Sequence, residues 1–85
     1  MDYEYKTHGT CSSKIEFSVD DNGIVSNVRF TNGCNGNLQA VARLTDGMHI
    51  DEIIKRLEGI RCGFKSTSCG DQFAQALIAA RDGKL

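Results

Sequence analysis

Apolar and polar residues alternate along the first third of the chain and recur at helical spacing along the rest. In residues 2–7, Tyr3 and Tyr5 share one face at period two, which predicts a strand. Residues 14–20 alternate more cleanly. Ile15, Phe17 and Val19 fall on one side, and Lys14, Glu16, Ser18 and Asp20 on the other, the pattern of a half-buried strand. Asp21-Asn22-Gly23 follows, and Asn-Gly predicts a two-residue type I′ hairpin turn. Residues 24–31 form the return strand. Its expected core face holds Ile24, Val28 and Phe30, with Asn27, Arg29 and Thr31 opposite.

After Gly33 the period changes. Leu38, Val41 and Ala42 stand at i, i+3, i+4 among good helix formers, with Asn35 as the expected cap and Gly47 as the stop. Ile50, Ile53, Ile54 and Leu57 predict an amphipathic helix of about ten residues that Gly59 ends. On its polar face Asp51 and Lys55 are spaced for an i, i+4 pair. A third helix starts near Ser68, where Ser68 and Asp71 resemble a capping box, and stops at Gly83. Phe73, Ala74, Ala76, Leu77, Ile78 and Ala80 supply its buried face. The order β-β-β-α-α-α predicts an α+β fold: a three-stranded antiparallel sheet followed by three helices packed on one face.

This topology has a consequence for the four cysteines. With the first strand running up, the loop that holds Cys11 is at the top, and the third strand climbs back to Cys34. The first helix descends, and the short 45–49 link turns the chain. The second helix ascends to Cys62, and the third helix starts beside Cys69. Cys11, Cys34, Cys62 and Cys69 are therefore expected at one end of the domain. Four converging thiolates suit zinc, which closes a tetrahedral structural site with soft ligands. They also suit an iron–sulfur cluster. Arg61 and Lys65 flank Cys62 and offset the charge of such a site. The gaps of 22, 27 and 6 residues contain no C-x₂₋₄-C knuckle, so the expectation rests on topology.

Two other readings of the thiols stay open. One is a redox pair, with Cys62 and Cys69 far enough apart to close a disulfide. The other is inert packing, since cysteine is among the most buried residue types. His8 falls near the same end, as a loop residue or a replacement ligand; His49 falls at the opposite end, as a structural or solvated residue.

Composition narrows the function. With 85 residues the chain is a single domain, residues 1–85, with a thin core that favours a staple. No apolar run is long enough to span a bilayer, and the start lacks the basic and apolar regions of an export signal. The cytoplasm is the expected compartment, and it keeps thiols reduced. Ten basic against eleven acidic residues argue against a general nucleic-acid binder. Nine glycines form no phosphate-binding loop motif, and Tyr3, Tyr5, Phe17 and Phe30 suit a sheet core better than a base-stacking platform. No nucleophile–base arrangement stands out.

The segments Leu57-Glu58-Gly59-Ile60-Arg61-Cys62 and Thr67-Ser68-Cys69-Gly70-Asp71, followed by Ala74-Gln75-Ala76-Leu77, resemble the TSCPD domain, named for its Thr-Ser-Cys-Pro-Asp motif. Gly9-Thr10-Cys11, Asn32-Gly33-Cys34 and Ile50–Ile54 fit the same pattern, so the resemblance spans roughly residues 5–80. Gly70 stands where the motif has Pro, a residue favoured but not required at a helix start. The resemblance implies a small bacterial protein, or the C-terminal domain of ribonucleotide reductases similar to the adenosylcobalamin-dependent class, with the cysteines as metal ligands. It also implies the label ribonucleoside-diphosphate reductase. An 85-residue chain is too small for the reductase barrel, so the expectation is a non-catalytic, zinc-holding accessory module whose partner is a ribonucleotide reductase or a related protein. The alternatives are a thiol redox accessory to such a reductase and a nucleotide or single-strand binding module using Arg61 and Lys65.

Overall fold

The computed structural model describes residues 1–7, 13–32, 35–61, 63 and 67–85, without the Asn35 side chain. Three strands, β1 (Asp2–Lys6), β2 (Lys14–Val19) and β3 (Val25–Thr31), form an antiparallel sheet in the order β1-β2-β3. Three helices follow: α1 (Asn35–Thr45), α2 (Ile50–Leu57) and α3 (Cys69–Arg81). This is the expected α+β arrangement.

The alternation in β2 explains which side of the sheet is covered. Ile15 and Phe17 are fully buried, while Lys14 and Glu16 stay on the wet side, where Lys14 pairs with Glu4 at 3.2 Å and Glu16 at 3.6 Å. Phe17 stacks on Tyr3 with centroids 5.4 Å apart, and it meets Phe73 of α3 edge-on at 5.9 Å. Phe30 of β3 meets the same Phe73 at 5.6 Å. Tyr3, Phe17 and Phe30 are thus sheet core under α3. Each such ring removes about 150–250 Å² from water, so this cluster is a large part of what holds a small domain together. Ile50, Ile53 and Ile54 of α2 complete the core from the side, and α2 packs against α3.

The β2–β3 turn differs from the predicted two-residue form. Gly23 N–H donates to the Asp20 carbonyl at 3.0 Å, and Gly23 (φ +79°) alone in the loop has positive φ. The loop is therefore the three-residue 21–23 form that ends on a left-handed glycine. Asp20 selects it by accepting the Asn22 and Ile24 backbone N–H groups on its carboxylate, both at 2.9 Å.

The core face of β3 also differs from the simple alternation. Val25, not Ile24, is buried along with Val28. Between the pairs Glu16↔Arg29 and Ser18↔Ser26, β3 spends one residue more than β2. Asn27 (φ +54°) lies in this bulge, which shifts the side-chain phase by one. The Asp46 carboxylate accepts the Asn27 N–H at 3.3 Å. The α1–α2 link lies against the same stretch, with Val25 N–H donating to Met48 C=O and Gly47 N–H to Val25 C=O. Ile24 pairs with His49 as an isolated bridge.

The helix ends follow the glycines. Gly47, Gly59 and Gly83 all have φ above +70° just beyond their helices. At the end of α3, Lys84 N–H donates to Ala79 C=O and Gly83 N–H to Ala80 C=O, a Schellman closure. α1 starts at Asn35 itself, so Asn35 is its first residue rather than its cap. α2 has eight residues and is capped by His49, whose Nδ1 accepts the Asp51 N–H at 3.1 Å. Asp51 does not pair with Lys55. It binds Arg81 of α3 at 3.2 Å, and the pair within α2 is Glu52–Arg56 at 2.8 Å.

Candidate metal centre

α3 runs from the Phe30 end of the sheet, where Phe73 lies, to the hairpin end, where Arg81 reaches Asp51 at the start of α2. Cys69, one helical turn before Phe73, is therefore at the end of the domain opposite the β2–β3 hairpin. It is the first residue of α3 and is half-buried. The first-turn N–H groups and the helix dipole favour a thiolate there.

The residues around Cys69 explain how it is held. Ser68 is extended (φ −144°, ψ 170°), and its hydroxyl accepts the Asp71 N–H at 3.0 Å. That is half of a capping box. In the full box the acid would reach back to the cap's own N–H. Here the Asp71 carboxylate turns elsewhere: Thr67 Oγ1 donates to one oxygen, and the Gly59 backbone N–H donates to the other at 2.7 Å. Gln72 Nε2 donates to Thr67 Oγ1 at 3.1 Å. Burial pushes the Asp71 carboxyl up, but the hydrogen bonds from Thr67, Gly59 and Gln75 outweigh it and hold it below the usual carboxylate range. Asp71 is thus an ionised strut between the end of α2 and the start of α3. Serine before a helix signals the cap, but nothing in the sequence signals Gly59 as the partner of Asp71.

On the sheet side, Thr7 N–H donates to Ser13 C=O at 3.2 Å and Ser13 N–H to Thr31 C=O at 2.8 Å. Asn32 Nδ2 donates to Ser13 Oγ at 3.1 Å. The chain on either side of residues 8–12 is thereby tied to the chain that enters residues 33–34, at the same end as Cys69. Cys11, Cys34 and Cys62, together with His8 and Lys65, lie outside the described residues. Among the described residues, no group of three or more His, Cys, Asp or Glu side chains is placed to hold a metal ion. Three of the four expected cysteines are not part of that set.

The described surface offers little else that is chemical. An open groove of about 410 Å³ between β3 and α1 has Val28, Phe30, Leu38 and Ala42 as its apolar lining and Arg29 as its one titratable group. His49 is at the expected hairpin end, exposed, with its ring over Gly23 and its Nδ1 capping α2. No described helix is long and apolar enough to cross a membrane.

Neither the curated proteins nor the solved structures yielded a match to the chain. The family model of the TSCPD domain, in contrast, matches residues 2–81. That span takes in the whole sheet, all three helices and the Thr67–Asp71 framework around Cys69, and by it the chain belongs to the TSCPD domain family.

Proposed function

We propose that the chain is a non-catalytic, metal-stapled accessory module in which Cys11, Cys34, Cys62 and Cys69 hold one zinc ion. One observation carries the reading: the Thr67–Ser68–Asp71–Gly59 framework fixes Cys69 on the first turn of α3, at the end where the segments that contain Cys11 and Cys34 leave the sheet. Four thiolates are a complete structural zinc set, with no position left for substrate. The chemistry the ion would supply is cross-linking: it joins strand connections to helix ends in a domain too small for a large core. The same donor set accepts an iron–sulfur cluster, which absorbs visible light and zinc does not.

The module's role is then to dock on a partner. By family resemblance we assign that partner to the ribonucleotide reductases and their relatives, in the cytoplasm, where thiols stay reduced. The runner-up is a thiol redox accessory, favoured by the position of Cys69 at a helix N-terminus. Metal analysis of protein purified without added metal, with a thiol count on the native fold, separates the two. Bound zinc with protected thiols supports the staple. Metal-free protein with a fast-reacting Cys69 supports the redox reading.

A further inference from the structure

The outer edge of β1 has a feature that neither the fold nor the metal proposal uses. Met1 and Val19 exchange both backbone hydrogen bonds, and the register pairs Tyr3 with Phe17 and Tyr5 with Ile15. In an antiparallel ladder this alternation turns the N–H and C=O groups of Asp2, Glu4 and Lys6 away from β2, toward the outside. All three residues are exposed. Among the described residues, no backbone group pairs with them. The other edge of the sheet is treated differently: residues 47–50 hydrogen-bond along the start of β3, the strand is bulged at Asn27, and α1 packs beside it.

We propose that β1 is a homodimerisation edge, pairing antiparallel with β1 of a second copy about a two-fold axis at Glu4. The charges commit the occupant. A strand that guards an edge by charge repels its own kind when it carries one sign. β1 carries acid, acid, base at its outward positions, and reversal brings Asp2 opposite Lys6 of the second copy at both ends. The outward groups are then the hydrogen-bonded pairs. Tyr3 faces Tyr5 of the second copy as a non-hydrogen-bonded pair, where side chains approach closest. Glu4 meets its own copy at the axis, and Lys14, shared between Glu4 at 3.2 Å and Glu16 at 3.6 Å, offsets part of that charge. The result is a six-stranded sheet with the helices of both copies on one face. Such an isologous contact between five-residue strands lies below about 1,200 Å², so a weak, concentration-dependent dimer is expected.

Sedimentation velocity on the full chain in reductant at low salt, from about 1 μM to about 1 mM, tests this. The wild type is expected to shift from monomer to dimer across that range. Lys6→Glu places two acids together at each end and is expected to weaken the dimer by at least about tenfold. Adding Asp2→Lys to it restores opposite charges and the dimer. Glu4→Pro removes an N–H that faces solvent in the monomer, a position where an edge strand tolerates proline, and is expected to leave a folded monomer. Circular dichroism checks each fold. A wild type that stays monomeric throughout overturns the proposal, as does a dimer unaffected by either single change. A folded double variant that fails to regain the dimer overturns the register about Glu4.

Discussion

Asp71 accepts the Gly59 backbone N–H at 2.7 Å, so a single carboxylate at the start of α3 holds the chain that leaves α2. The same carboxylate accepts the Thr67 hydroxyl, and Asp71's own N–H donates to Ser68. Thr67, Ser68 and Asp71, three of the five residues in the Thr67–Asp71 segment, thus act on one another or on Gly59.

Removing the strut should be costly. Hydrogen bonds to a charged group contribute roughly 1.5–3 kcal/mol, and Asp71→Ala is expected to lose about that much in urea unfolding at neutral pH. Asp71→Asn keeps an acceptor but loses the charge assistance, and about half the cost is expected. A stability unchanged in Asp71→Ala would show that the carboxylate holds nothing.

Gly70 should be replaceable. It has no positive φ, and a Cβ built there meets Leu57 Cδ2 and Ser68 Oγ at 3.8 Å each, ordinary contact. Gly70→Ala therefore removes unfolded-chain freedom without strain, and is expected to raise stability by about 0.5–1 kcal/mol. A fall in the thermal midpoint would contradict the placement of Gly70 in the first turn.

Gly23 should not be replaceable. Its φ is +79°, and a Cβ there would sit 2.7 Å from His49 Nε2. The ring cannot move freely, because its Nδ1 caps α2. Gly23→Ala is expected to cost roughly 2 kcal/mol, from left-handed strain and from disturbance of the cap. In a His49→Ala background the same change should cost about 1 kcal/mol less, a coupling that a double-mutant cycle measures directly. Strict additivity would mean that the ring and the glycine do not constrain each other.

The bulge makes a further prediction. Asn27 (φ +54°) occupies a conformation that asparagine and glycine tolerate and β-branched residues do not. Asn27→Gly is expected to be close to neutral, and Asn27→Val to cost about 1–2 kcal/mol by chemical denaturation.

These residues also show what was legible in the sequence. The order of elements could be read because period two gives way to helical spacing once, near Gly33. The helix ends could be read because Gly47, Gly59 and Gly83 take the left-handed conformation that ends a helix. The buried phase of β3 could not, because it depends on where one extra residue is inserted opposite β2, and a lone asparagine only permits that. Nor could the partner of Asp51: Lys55 is correctly spaced within α2, but Arg81 approaches from 30 residues away in the folded chain. Asp71 is the same case at the candidate site. A capping box is visible locally, yet its carboxylate is claimed by Gly59 through tertiary packing. Of the four expected metal ligands, only Cys69 belongs to the described structure; the other three rest on the topology and the family.

The metal staple is the central claim, and metal content together with thiol reactivity tests it most directly. The chain should be purified in reductant without added metal, then assayed for bound metal and for thiols before and after unfolding with a chelator. The staple predicts about one zinc per chain, four thiols protected in the native protein and all four titratable once the metal is removed. Metal-free protein that is folded and exposes reactive thiols would contradict it.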